Sequence, residues 1–243
     1  MNDAIMQGCD LSIYQGEIDF AKLKAGTATN KGADFAILRA GYGKFTSQKD
    51  KKFESYYSGC KKVGINTGAY WYSYAMSEDE ARQEAQACLE VLKGKKFEMP
   101  IYYDVEEQKQ FALGKQKVSA IIRAFLEVVE KAGYWVGLYS NTSSLNSYIE
   151  DDIKKRYAIW VAHWGVKAPT YQGQYGIWQY TEKGYMNGIN GNVDLDFCYF
   201  DYPTEIKRHG LNGYTVEPVK DKRTIEATAV VEGVTYKGIL TEV

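Results

Sequence analysis

The feature that most constrains this chain is a series of eight short apolar runs with helical segments between the early ones. The runs are QGCDLSIY (7–14), FAILRAGY (35–42), TGAYWYSY (67–74), PIYYDVE (100–106), WVGLYSN (135–141), AIWVAHW (158–164), YGIWQYT (175–181) and NVDLDFCYF (192–200). Most are near-continuous aliphatic or aromatic stretches, the pattern of strands buried on both faces of a parallel sheet. Helical spacing of Phe53, Tyr56, Tyr57 and Cys60 predicts a helix over 50–64 that stops near Gly64. Ser77 followed by Glu80 predicts the capped start of a helix over 77–93. Val118, Ile121, Ile122, Phe125, Val128 and Val129, with Gly133 just beyond, predict another over 116–132. Shorter helices are expected at 17–26 and 142–155.

Only VKAPTYQGQ separates the sixth and seventh runs, and only EKGYMNGING the seventh and eighth. Neither reads as a crossover helix. Alternating strands and helices imply right-handed βα units, and eight strands imply closure. The expected fold is therefore an α/β, TIM-like barrel of eight mainly parallel strands. Its helical ring is incomplete, with about five βα units and then three strands. An open doubly wound sheet is the structural rival, but the chain carries neither G-x-G-x-x-G nor a P-loop. The barrel is assigned to residues 1–203. Residues 204–243 have fewer large aromatics and end in two strand-like runs around Gly233, a hairpin pattern. They are read as a linker or a small β appendage, or as the start of a wall-binding module.

Composition excludes several classes of function. A formal net charge of −1, with no long run of one sign, argues against nucleic acid as partner. No apolar run is long enough to span a membrane, and the N-terminal residues show no signal-peptide pattern. Four scattered cysteines, Cys9, Cys60, Cys88 and Cys198, are expected to be reduced and buried, and two histidines are too few for a His/Cys zinc cluster. No metal and no cofactor is expected. The 21 Tyr and 5 Trp fit a carbohydrate ligand, since sugars bind flat rings with polar tips.

The chemistry points to PIYYDVE. Side chains at i and i+2 of a strand share a face, so Asp104 and Glu106 project together, roughly 6–7 Å apart along the chain. They end the fourth strand, and in a βα barrel that end faces the ligand. Two neighbouring carboxylates in a partly dry site do not both ionise freely. The retained proton is what a general acid needs. Asp10 in the first strand and Asp194 and Asp196 in the last join them, because first and last strands meet when a barrel closes.

With these residues in place the chain resembles glycoside hydrolase family 25, the Chalaropsis-type lysozymes or N-acetylmuramidases found as phage endolysins and autolysins. GCDLSIYQGEIDF, FAILRAGYG, GAYWYSY, PIYYDVE, VGLYSN, IWVAHW, GIWQYT and GNVDLDF occur in the family's order, over about residues 7–202. The resemblance implies hydrolysis of the β-1,4 bond between N-acetylmuramic acid and N-acetylglucosamine in bacterial peptidoglycan. It implies Glu106 as general acid and Asp104 as its assistant, orienting the substrate's own 2-acetamido group. Asp10 and Asp194 match the remaining acidic positions, with Asp194 ranked above Asp196. Tyr70 and Tyr139 match hydrogen-bonding or stacking positions. Tyr72, Trp160, Trp164, Trp178, Gln179 and Tyr180 are further candidates for sugar contact. Arg39 stands where the family often carries a lysine, and reads either as a comparable cation or as the partner of an acid. Trp71 stands where a histidine is common. The protein is expected to act as a monomer on the bacterial wall. A wall-glycan-binding protein on the same barrel and a chitin-type hydrolase are the alternatives. The second lacks its usual D-x-x-D-x-D-x-E run.

Overall fold

The structure, a computed structural model, describes residues 3–216 and 224–241. Eight strands close a barrel in chain order. They are β1 (Met6–Leu11), β2 (Phe35–Tyr42), β3 (Asn66–Tyr72), β4 (Ile101–Asp104), β5 (Val136–Asn141), β6 (Ala158–Ala162), β7 (Ile177–Gly184) and β8 (Val193–Cys198). Helix α1 (Phe20–Ala25) follows β1, α2 (Phe53–Val63) follows β2, and α3 (Glu78–Leu92) follows β3. Helices α4 (Gln108–Phe111) and α5 (Lys115–Lys131) follow β4, and α6 (Thr142–Tyr148) and α7 (Asp151–Arg156) follow β5. The connections after β6 and β7 carry no helix, so the outer ring is open on that side, as the linker sequences imply.

Local chemistry sets the helix ends. The Ser77 Oγ accepts from the Glu80 N–H at 3.3 Å, while the Glu80 carboxylate turns back to the Met76 N–H at 2.7 Å. One donor left free at the start of α3 is thereby satisfied, together with the N–H of the residue before its cap. The single helix expected over 142–155 is broken at Ile149 and Glu150, which are extended. There the Glu150 N–H is held by Ser119 Oγ of α5 at 3.0 Å.

Strands β1 to β7 run parallel, but β8 is antiparallel to both β7 and β1. A parallel neighbour needs a crossover of a dozen or more residues, and the connection 185–192 is too short for one. The β7–β8 pair is thus a reversal rather than a helical crossover. This orientation decides which acids reach the mouth.

Strand parity divides the core in two. Phe35, Ile37, Tyr70, Met99, Tyr102, Tyr139, Trp160, Ile177 and Cys198 fill the barrel. Cys9, Leu11, Leu38, Trp71, Tyr103, Leu138, Val161 and Trp178 pack in the outer cluster, with residues of the helices such as Cys88, Ile122 and Phe125. Small residues make room for the large inner ones. A Cβ on Gly137 would lie 2.4 Å from the Tyr102 ring. All four cysteines are buried and free.

The packing continues past residue 203. Helix α8 (Tyr202–Arg208) closes the barrel floor with Tyr202 and Ile206. Asn212, buried and left-handed at φ 56°, accepts from the Trp135 N–H at 2.7 Å and donates to the Met99 carbonyl at 2.9 Å. These bonds tie the approaches to β4 and β5 together. Of the stretch read as linker or appendage, 217–223 and 242–243 lie outside the described residues. The expected hairpin forms from β9 (Thr224–Val231) and β10 (Val234–Thr241). Its turn places Glu232 and Gly233 at φ 50° and 81°, the two positive angles that match strand twist in a two-residue loop.

Candidate active site

Five acidic side chains come from three strands and the segment just past β4. Asp10 on β1 lies directly opposite Asp194 on β8, and Asp196 lies opposite Gly8, two pairs deeper. Because β8 runs backwards, its earlier acid sits at the mouth and its later acid below it. Asp196 is fully buried, with Oδ1 accepting from the Trp160 indole N–H at 2.7 Å. Asp194 is only half-buried. The geometry therefore makes Asp194 the open carboxylate and Asp196 part of the floor.

Asp104 ends β4, and Glu106 lies just beyond the strand rather than within it. The charge of Glu106 acts on the Asp104 carboxyl. Asp104 Oδ1 is buried and has no hydrogen-bond partner among the described residues. A buried acceptor left this way is costly unless a ligand or a proton meets it.

Burial pushes the Asp104 carboxyl well above the usual carboxylate range, the charges of Glu106 and Asp10 push it further, and Arg39 opposes them. Burial also raises Asp10, as do Asp194 and Asp196, against the hydrogen bond from Gln179. Glu106 is raised by burial first and then by Asp194. Asp194 is pushed up to about 6 by burial and then by Glu182. Each of these acids thus binds its proton more tightly than a free carboxyl, as acids clustered in a low-dielectric mouth do.

Gln179 on β7 joins the cluster. Its Nε2 donates to Asp10 Oδ2 at 2.8 Å and to Asp194 Oδ2 at 3.4 Å. Its Oε1 accepts from Tyr139 Oη and from Trp164 Nε1, both at 2.9 Å. Tyr139 lies within electrostatic reach of Glu106 and Asp104. Tyr70 is buried beside Asp10, Arg39 and Asp104. Tyr72 donates to Glu107 Oε1 at 3.0 Å and packs on Tyr74. Arg39 donates from Nε to Asp50 Oδ2 at 2.7 Å, with its guanidinium over the Tyr14 ring. It is therefore an acid-paired residue whose charge also acts on Asp104. Trp164 is 44% exposed beside a groove of about 620 Å³ lined by Glu106, Asn141, Asn146, Ser147 and His163.

Three expected sugar contacts stand elsewhere. Trp178 and Tyr180 face outward: Trp178 donates to the His163 carbonyl at 2.9 Å, and Tyr180 stacks on Phe197 at 4.2 Å. Their neighbour Gln179 points inward, so alternation alone excludes them. Trp160 is inward but 1% exposed, packed on Tyr139 and Tyr102 in the floor. The sequence reading also missed Tyr42 and Tyr74, which sit edge to face with centroids 6.0 Å apart and are both exposed. Both occur at the ends of inward-reading runs, which was the available signal. Asn146 and Ser147 come from α6 and had no such signal. Among the described residues, no group of three His, Cys, Asp or Glu side chains is placed to hold a metal ion.

Comparison with known proteins agrees with this geometry. The model of the glycosyl hydrolases family 25 matches residues 9–189. The autolytic lysozyme of Clostridium acetobutylicum is 28% identical over 197 residues, which are 79% of this chain and 55% of that protein. The CTP1L endolysin structure is 28% identical with a TM-score of 0.72, covering 84% of this chain and 70% of that one. The modular autolysin LytC of Streptococcus pneumoniae, solved in complex with a synthetic peptidoglycan ligand, is 30% identical with a TM-score of 0.69. That match covers 80% of this chain and 46% of LytC. The chain thus spans about half the length of the lysozyme and the modular autolysin.

Proposed function

Because the chain belongs to glycosyl hydrolase family 25, we propose that it is an N-acetylmuramidase acting on the bacterial cell wall. It cleaves the β-1,4 bond from N-acetylmuramic acid to N-acetylglucosamine in peptidoglycan glycan strands. The observation that carries this reading is the convergence of Asp10, Asp104, Glu106 and Asp194 at one end of the barrel.

Glu106 gives its proton to the glycosidic oxygen, which leaves with the electron pair of the broken C1–O bond. The 2-acetamido oxygen of the muramic acid attacks C1 from the opposite face, a recognised alternative to a second carboxylate nucleophile. Asp104 receives the acetamido N–H; its buried, unpartnered Oδ1 supports that role. Water then opens the cyclic intermediate, giving its proton to Glu106 and leaving muramic acid at the new reducing end. Asp10 and Asp194 stabilise the positive charge that develops on the sugar ring. Tyr70, Tyr72, Tyr139, Trp164 and the Tyr42–Tyr74 pair line the sugar path, with the groove beside Glu106 taking the strand on one side of the cut. No helix among the described residues is long and apolar enough to cross a membrane. The substrate is a wall polymer and the protein acts there as a monomer.

The test is a peptidoglycan suspension treated with the purified protein, followed by reduction and mass spectrometry of the fragments. Reduced N-acetylmuramic acid at the new ends is expected. Reduced N-acetylglucosamine, cleaved peptide stems, or binding without release would each overturn the reading.

A further inference from the structure

Behind the Tyr72–Tyr74 side of the sugar path stands a carboxyl that the proposed chemistry does not use. Glu84 of α3 is fully buried. Its Oε1 accepts from the Tyr74 N–H at 2.8 Å, and its Oε2 accepts from the Tyr103 hydroxyl at 2.6 Å. A buried acid is expensive unless such donors meet it.

The bonds continue in one direction. Tyr103 gives its one proton to Glu84, so its oxygen accepts from Ser73 Oγ at 2.7 Å. Ser73 Oγ accepts in turn from Gln110 Nε2 of α4 at 2.8 Å and from the Ala75 N–H at 3.3 Å. Gln110 Nε2 also donates to the Ala75 carbonyl at 2.9 Å. A carbonyl can only accept, so the Gln110 amide has one orientation. It keeps that orientation although its Oε1 is buried without a partner among the described residues. Ser73, Tyr103 and Gln110 are as fully buried as Glu84.

These bonds converge on residues 73–75, the segment that leaves β3. The Ser73 N–H is held by the Asp104 carbonyl at 2.9 Å, the Tyr74 N–H by Glu84, and the Ala75 carbonyl by Gln110. From this clamped backbone the Tyr74 side chain reaches the sugar path. There it is 43% exposed, edge to face with Tyr42 and 5.1 Å from the Tyr72 ring. Lys109 of α4 lies over the Tyr74 ring, also at 5.1 Å. An aromatic edge fixed before a ligand arrives loses little freedom on binding. We propose that Glu84 is a positioning residue, which anchors the Tyr74 main chain from behind and so presets the Tyr42–Tyr72–Tyr74 edge for a glycan strand. Its effect on glycan binding rests on the muramidase reading. The anchor itself does not.

The test compares two side chains of similar shape in one background, the full chain carrying Tyr103→Phe. Losing that hydroxyl takes away the other donor to Glu84 and leaves the bond to Tyr74. Glu84→Gln keeps an acceptor for the Tyr74 N–H, and Glu84→Met has none. Amide hydrogen exchange should show Tyr74 protected in the parent and in Glu84→Gln. In Glu84→Met it should exchange about tenfold faster, the scale of one lost hydrogen bond. On soluble peptidoglycan glycan fragments, Glu84→Met should raise KM about two- to tenfold, the scale of ordering one large side chain on binding, with kcat unchanged. Combined with Tyr74→Ala it should add nothing to KM, because residues acting through one contact are not additive. A Tyr74 amide that exchanges freely in the parent overturns the anchor, and that measurement needs no variant to fold. Equal exchange in Glu84→Gln and Glu84→Met overturns it as well. An unmoved KM, a fall in kcat alone, or additivity with Tyr74→Ala would make Glu84 support for the fold and nothing more. A parent that cleaves no glycan refutes the muramidase reading, and the exchange measurements still decide the anchor.

Discussion

Glu106 is the residue on which the proposed chemistry depends, and its environment raises its proton affinity through burial and the Asp194 charge. Glu106→Gln keeps the shape and removes the proton. It should reduce glycan cleavage by at least about 100-fold, the scale of a lost general acid, with the melting temperature little changed. A second residue-scale prediction concerns Asp194, raised from 3.8 to about 6. A carboxyl that binds its proton more tightly when folded adds stability below its unfolded value, and that stability is lost as pH rises through the folded value. Asp194→Asn lacks this loss. Its stability relative to the parent should grow between about pH 4 and pH 6 and then level off, at about 1 kcal/mol after solvent screening. Urea unfolding across that range checks it, and a difference independent of pH would contradict the assignment. At this scale the sequence reading found the acids, because i and i+2 parity and strand ends are local. It placed Trp178 and Tyr180 with Gln179 because an aromatic in a strand carries no sign of which face it serves.

Among the elements, β8 has the largest effect on the site. Its reversal puts Asp194 beside Asp10 and sinks Asp196 to the level of Gly8. In a parallel β8 the order would be exchanged, and Asp196 would reach the mouth. The short 185–192 connection hinted at the reversal, but no residue in NVDLDF states its direction. The five βα units were legible from apolar periodicity and from Gly and Ser at helix ends. Helix α8 was not, because its seven residues show little periodicity and it is held by the barrel floor. Asn212 completes that floor. Asn212→Ala leaves the Trp135 N–H and the Met99 carbonyl without their partner and puts alanine at φ 56°. The expected cost is about 2–4 kcal/mol, seen as a lower urea midpoint at unchanged m-value.

At the scale of the molecule, the barrel core runs to Tyr214, whose hydroxyl donates to Glu98. Strands β9 and β10 form a separate two-stranded sheet. We propose that residues 3–216 are the catalytic unit and that the hairpin is an appendage. A chain ending at 216 should unfold within about 2 °C of the parent, since a melting shift tracks lost core contacts, and should keep its rate on soluble glycan fragments. A large loss of melting temperature would instead make the hairpin part of the barrel's support.

The sequence by itself determined the eight strands, the incomplete helical ring, the family likeness and the acids at the strand ends. Each follows from local preference, apolar spacing or a contiguous motif, and needs no knowledge of distant partners. Tertiary structure alone decided which of Asp194 and Asp196 stands at the mouth, which aromatics face the sugar path, and that Gln179 joins Asp10, Asp194, Tyr139 and Trp164. Those outcomes depend on strand direction and barrel closure, which bring together residues as far apart in the chain as 10 and 194. No local stretch of sequence carries that information.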